Sequence, residues 1–291
     1  MGGQDWGAMN IICILALATA AAVGQANTVA SPTAIDRAFN RMYNFDFPGA
    51  HAILDERIRA HPNDPLAYSV RGAACLFSEY HRMKILEMEF FVDDDRVTDK
   101  KRVKPDPAAR ARLFQVTGAA KRLAGARLAL NANDRDALMA FCMASGVETD
   151  YTGLVEKRYF RSYSLSKETQ RYAHRLLSLN PPAYDGYLTL GAVEYVVANL
   201  NFFFRLFIRF DRIEGSRQKC IENLKKVAQR GRYLSPYAKI LLSVVYLREN
   251  KPQEALALMK EMKRDFPENP LIPAEIARIE GKIGRAPKSG K

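Results

Sequence analysis

Leu242 to Pro267, LSVVYLRENKPQEALALMKEMKRDFP, reads as a helix, a tight turn and a second helix. Tyr246 follows Leu242 and Ser243 at helical spacing, and Asn250 to Pro252 break the run. Ala255, Met259 and Met262 then line one face before Pro267 closes it. A lone hairpin cannot bury its apolar faces, so it stacks on neighbours, and a small side chain is needed wherever two helix backbones come close. Ser243 and Ala255 meet that need, while Tyr246 and Met259 fill the space between layers.

The same offsets recur elsewhere. Ala50, Leu54 and Pro62 repeat the spacing of Ala255, Met259 and Pro267, and Tyr68, Arg71 and Gly72 follow Pro62 as Tyr187, Leu190 and Gly191 follow Pro181. Ala38 and Gly72 stand 34 positions apart, as do Ser243 and Ala277. These residues resemble the tetratricopeptide repeat, which pairs Leu and a small residue with Tyr in its first helix, then places Ala, a bulky residue and a closing Pro. The resemblance implies an all-α fold, a right-handed superhelical solenoid of about five antiparallel helix pairs plus a C-terminal capping helix. That last helix, Pro270 to Ile283, carries Glu275, Arg278, Glu280 and Lys282 as the polar outer face a terminal cap needs. No series of alternating apolar residues between hairpin turns competes with this reading.

Between the matching ends the units stretch. Ser31-Pro32 reads as a helix start, with Ser as the cap. A helix from Pro65 is expected to run to about Phe91, followed by the charged connection DDDRVTDKKRVKPDP and a helix from Pro107 to Leu130. Cys142 takes the small-residue place of the next helix. Val147 to Tyr163 reads as a connection, and Ser166 as the cap of a helix ending at Leu179. The segment NLNFFFRLFIRFDRIEGSRQ after Tyr195 is long and aromatic.

The first 26 residues hold an apolar run from Ile11 to Val23 and a small-residue exit, and read as a secretory signal peptide cut after Ala26. The run is shorter than the roughly 20 residues that cross a bilayer, which favours a cleaved signal over the alternative, an N-terminal membrane anchor. The domain reading is residues 1–26 signal, 27–284 repeat domain and 285–291 disordered tail. Removing the signal takes away one acid and no base, moving the net charge from +12 to +13. Such a surplus favours acidic partners or anionic surfaces, and export makes nucleic acid the weaker choice. Cys75, Cys142 and Cys220 show no paired spacing, so neither a disulfide framework nor a zinc site is indicated.

No catalytic constellation emerges. His51 and His61 bracket a helix with no HExxH between them, and capping or surface roles suit them. Asp93 to Asp95 lack the central Gly and final Glu of a calcium loop, and no phosphate loop or Gly-x-Ser-x-Gly elbow is present. The expectation is a non-enzymatic chain with no cofactor and no metal.

Two binding surfaces follow. The resemblance implies a concave inner face, built from the first helix of each pair, that receives a peptide. Family members that clamp a carboxylate place Asn directly after the small residue. Here those places hold Phe39, Ala73, Met143, Ala192 and Val244, so an apolar groove walled by Met143, Tyr195 and Arg248 is expected instead. The second surface is Phe202, Phe203, Arg205, Phe207 and Arg209, whose mixture suits a membrane interface or a partner helix. The basic cluster Arg96 to Arg127, ten Lys or Arg against two Asp, is a third candidate, for an acidic partner. The functional expectation is an exported protein-binding scaffold, with a peripheral membrane or lipid-handling protein as the alternative.

Overall fold

In the computed structural model, residues 31–88, 92, 103–192 and 216–285 are described in full and 193–199 by their backbone. Among the described residues, eleven α-helices follow one another: α1 (Ala34–Tyr43), α2 (Phe47–Ala60), α3 (Pro65–Arg82), α4 (Pro107–Leu130), α5 (Arg135–Asp150), α6 (Tyr159–Leu179), α7 (Gly186–Asn199), α8 (Arg217–Arg230), α9 (Ser235–Arg248), α10 (Pro252–Asp265) and α11 (Leu271–Arg285). A single π-helical turn, Tyr151–Val155, extends α5. The described residues contain no strand. Each helix packs on the next, and α1, α3, α5 and α7 also pack on one another, forming an inner row with α2, α4, α6 and α8 outside it. This is the expected solenoid of helix pairs, five of them and a terminal helix.

The small residues sit where backbones close in. Gly191 lies against Asn223 and Leu224 of α8, and Ser243 is fully buried on α9. Gly72 on α3 faces Thr117 on α4, and a Cβ there would stand 2.7 Å from the Thr117 methyl. That methyl cannot swing away, because Thr117 Oγ1 donates to Leu113 O (3.0 Å) and to Glu148 Oε1 (2.7 Å). Ala277 occupies the same place on α11 but is exposed.

Turns within a pair and turns between pairs use different chemistry. α1, α3 and α9 each end with a left-handed residue, Phe45 (φ 66), Lys84 (φ 58) and Asn250 (φ 56). The next N–H bonds back across the turn in each case: Asp46 N to Arg41 O, Ile85 N to Tyr80 O, and Lys251 N to Tyr246 O. Between pairs, Asp64 and Asp134 cap the following helix and are gripped by an Arg seven residues earlier, Arg57 (3.0 Å) and Arg127 (2.8 Å).

The superhelix winds tightly enough for its ends to meet. Tyr43 Oη donates to Tyr233 O (2.9 Å), and Asn269 Nδ2 donates to Tyr43 O (2.8 Å). Phe39 stacks on Tyr233, Tyr43 packs on Phe266, and Phe77 on Tyr237, with centroids 5.3, 5.2 and 5.5 Å apart. Arg232 forks both Oδ atoms of Asp36 at 3.1 and 3.0 Å.

Several expected boundaries are corrected. The helix from Pro65 stops at Arg82, not near Phe91, because Lys84 turns left-handed; residues 89–91 themselves lie outside the described set. Arg82 secures this end by donating to Glu79 and to Lys104 O (2.7 Å). The connection Val147 to Tyr163 shrinks to three residues, since buried Tyr151 and Val155 carry α5 onward and α6 starts at Tyr159. Ser166 is buried inside α6 and caps nothing. The first cap is Thr33, in a capping box with Asp36, not Ser31. Glu275 is buried at 8% exposure instead of lying on the outer face: its Oε1 accepts Met88 N–H (2.9 Å), joining the chain after α3 to α11.

Gly72 and Gly125 offer a matched test. No atom lies within 4 Å of a Cβ built at Gly125, inside α4. Gly125→Ala should therefore stabilise by roughly 0.5–1 kcal/mol through helix propensity, while Gly72→Leu should destabilise by about 1–3 kcal/mol through overpacking. Thermal or denaturant unfolding of the two variants checks the opposite signs.

Candidate functional site

At four of the five positions that follow the small residues, the concave face is packed. Phe39, Ala73, Met143 and Val244 are all buried, and Phe39, Ala73 and Met143 belong to one apolar cluster that Tyr233 and Tyr237 pack against. Met143 is therefore core, 8% exposed, and not a groove wall. Arg248, half-buried at the end of α9, lines neither of the two cavities below. Tyr195 lies on α7 where the backbone alone is described, so the trio is not brought together by any described contact. Phe202, Phe203, Arg205, Phe207 and Arg209 lie outside the described residues, as does the first part of the Arg96 to Arg127 cluster. Periodicity identified the inward faces correctly but carried no sign that the far end of the chain would cover them.

What remains between the first pair and the last helices is an apolar cavity of about 40 Å³, lined by Met42, Tyr43, Phe77, Tyr237, Met259 and others. That is room for about one water, and its wall offers few polar groups to hold one. The polar recess lies elsewhere. A cleft of about 670 Å³ opens where the start of α1, the α2–α3 turn, the C-terminal part of α4, the start of α5 and the α8–α9 turn converge. Arg57, His61, Asp64, Arg127, Asp136, Arg232 and Tyr233 line it.

The floor of this cleft is fixed by the turns that make it. His61 is the C-cap of α2, as a capping role for it would have it, and Pro62 and Asn63 follow in the turn. Each of Arg57, Arg127 and Arg232 commits two nitrogens to a carboxylate, Asp64, Asp134 and Asp36 respectively. A guanidinium has five N–H donors, so donors remain on all three. Asp136 is exposed on the opposite side of the charge balance. Behind the cleft, buried Asp185 accepts Tyr233 N–H and Leu234 N–H at 3.1 and 3.0 Å, holding the α8–α9 turn in place; burial is the main influence on its carboxyl and raises its pKa. Sequence reading missed the cleft, although the shared Asn-Asp of HPND and NAND, with Arg seven residues before each Asp, was a visible signal.

Two carboxyls report on this architecture. Burial raises the Asp36 pKa, but the hydrogen bonds from Arg232 and Thr33 outweigh it and bring it to about 2. Asp150, at the end of α5, has no hydrogen-bond or ionic partner among the described residues, and burial pushes it up to about 7. His51 is half-buried and held down to about 4, first by burial and then by Arg71. The described residues contain no cluster of three or more metal-ligating side chains, and none of their helices is long and apolar enough to cross a membrane.

No family model and no curated protein matches this chain. Among solved structures, a thermophilic tetratricopeptide-repeat protein of Thermus thermophilus is similar over 84% of this chain and 97% of its own, at 13% identity and a TM-score of 0.45. The packing of paired helices, with small residues at the crossings and a polar cleft at the turns between pairs, defines the class: an all-α helical-repeat protein resembling the tetratricopeptide type.

The two carboxyls should respond to pH with opposite signs. Asp36 has a folded pKa below its unfolded value, so its stabilisation is present above about pH 4 and lost as pH falls through about 2. Arg232→Met should then lower the melting temperature at neutral pH, and the gap to wild type should close on acidification. Asp150 has a raised pKa, so its charged form costs stability as pH rises from about 4 through 7. Asp150→Asn should raise the melting temperature at pH of about 8 and leave it unchanged near pH 4. Melts across this range read both effects.

Proposed function

We propose that the chain is a non-enzymatic, exported scaffold that holds an extended polar segment of a partner protein in the cleft between the repeat turns. The observation that carries this reading is the cleft itself, about 670 Å³ and assembled from several successive repeats. That volume falls within the roughly 300–1,000 Å³ of ligand clefts. Unused guanidinium N–H groups on Arg57, Arg127 and Arg232 supply donors, and the exposed Asp136 supplies an acceptor. An extended backbone presents both kinds of group. The mixed charge favours a polar peptide over a single anion.

Support for a non-catalytic role comes from the thiols. Cys142 is pushed up to about 11 by burial, Cys75 is raised by the same cause, and Cys220 is buried. Cys75 and Cys142, held protonated in this way, are poor nucleophiles. Export rests on the apolar run Ile11 to Val23 and its small-residue exit.

A photo-crosslinking residue at Asn63 should capture the partner, whereas one at Lys263 on α10 should not. Asn63→Trp with Asp136→Arg should weaken the isolated partner's binding by at least ~10-fold, as expected when a central contact of a small interface is blocked, with the melting temperature unchanged. Binding that survives the double change removes the cleft as the site. The first residue of the mature chain, read by N-terminal sequencing, is expected to be Asn27.

A further inference from the structure

Positive charge is not spread evenly over the outer helices. The three consecutive outer helices α4, α6 and α8 carry fourteen Lys and Arg against two acids, Glu168 and Glu222, a surplus equal to the +12 of the whole chain. The outer helices nearer the ends do not share it. α2 sets Asp55 and Glu56 against Arg57 and Arg59, and α10 sets Glu254, Glu261 and Asp265 against Lys260, Lys263 and Arg264.

Much of the surplus meets solvent. Arg122 on α4, Arg171 and Arg175 on α6, and Lys219 and Lys225 on α8 are exposed, and no carboxylate of the described residues pairs with them. Long side chains reach from α4 toward α6: Lys121 to Glu168 (3.5 Å) and, just before α6 begins, Arg110 to Glu156 (2.5 Å). At that same end apolar side chains face outward: Tyr159 is 40% and Phe160 64% exposed, with Val103 at 51% just before α4.

We propose that the outer face of α4, α6 and α8 docks on an anionic lipid bilayer, its cations meeting phosphate headgroups while Tyr159 and Phe160 enter the interfacial layer. Charge complementarity selects a polyanionic partner. The outward-facing rings, with exposed Arg161 next to them in the chain, select a bilayer over a nucleic acid, because phosphate-backbone binding needs no apolar anchor and an interfacial layer accepts one. The helices have 24, 21 and 14 residues, or about 36, 32 and 21 Å of length, so many headgroups are engaged at once. Binding is multivalent and salt-sensitive. The exposed cations Arg122, Arg171, Arg175, Lys219 and Lys225 do not line the cleft, and the proposal does not depend on the scaffold reading.

Flotation of the purified full chain with vesicles provides the test. Vesicles of phosphatidylcholine with one-third phosphatidylglycerol should carry the protein up at low salt and release it at about 0.5 M salt, where the screening length is only a few Å; phosphatidylcholine alone should not carry it. Arg122→Glu, Arg171→Glu, Lys219→Glu and Lys225→Glu together should weaken binding at least ~10-fold, while Lys263→Glu with Arg264→Glu on α10 should not. Circular dichroism confirms that both multiple variants and Phe160→Ser fold, and Phe160→Ser alone should weaken vesicle binding. Failure to float with anionic vesicles, retention by the quadruple variant, or tighter binding to a DNA duplex than to the vesicles at equal salt each overturns the proposal.

Discussion

Tyr43 is bonded at two atoms to two different repeats from the opposite end of the chain. Its hydroxyl reaches the carbonyl of Tyr233 and its carbonyl receives Asn269, while its ring sits among Phe39, Phe77 and Phe266. A stack of helix pairs can be wound loosely or tightly, since each pair touches only its neighbours. Here the aromatic ring and its two polar ends set the winding, because a phenol buried without partners would cost about 1–3 kcal/mol. Burial drives the Tyr43 phenol pKa well above its ordinary value, so the hydroxyl remains a donor under all ordinary conditions. The concave side is filled as a direct result, and the accessible polar space is displaced to the turns between pairs.

Within this closed arrangement, polar residues do what small residues alone cannot. Gly72 lets α3 and α4 come together, and Thr117 at that crossing also ties α4 to α5, its hydroxyl donating to buried Glu148. Lys121 then pairs with Glu148 (2.9 Å) and Glu168 (3.5 Å), linking three successive helices through one ammonium. Burial disfavours the charge on Lys121, yet the two carboxylates raise its pKa overall. A buried carboxylate is tolerated when it is paired and hydrogen-bonded, and Glu148 is both.

The parts legible in the sequence are those set by local period. Ala38, Gly72, Gly191 and Ser243 announced where backbones approach, and Pro107 to Leu130 was readable to the residue, because its caps are ordinary Asp-Pro and Asn types. Lys84 hid the end of α3, since a left-handed residue is normally signalled by Gly or Asn and Lys is neither. Glu275 looked like a solvent residue because its partner, Met88 N–H, lies 187 positions away. Met143 looked like a groove wall for the same reason: periodicity shows which side of a helix is apolar and says nothing of what covers it. The polar cleft required knowing that turns far apart in sequence share one end of the molecule, which no single segment encodes.

The meeting of the first and fifth pairs changes how this protein comes apart. A linear array of repeats melts like a zipper, fraying from its ends with nearest-neighbour cooperativity. Here the early and late repeats brace each other through Asp36 and Arg232, Tyr43 and Asn269. Deleting the first pair would therefore strip the late repeats of these contacts as well, coupling the two ends of the array.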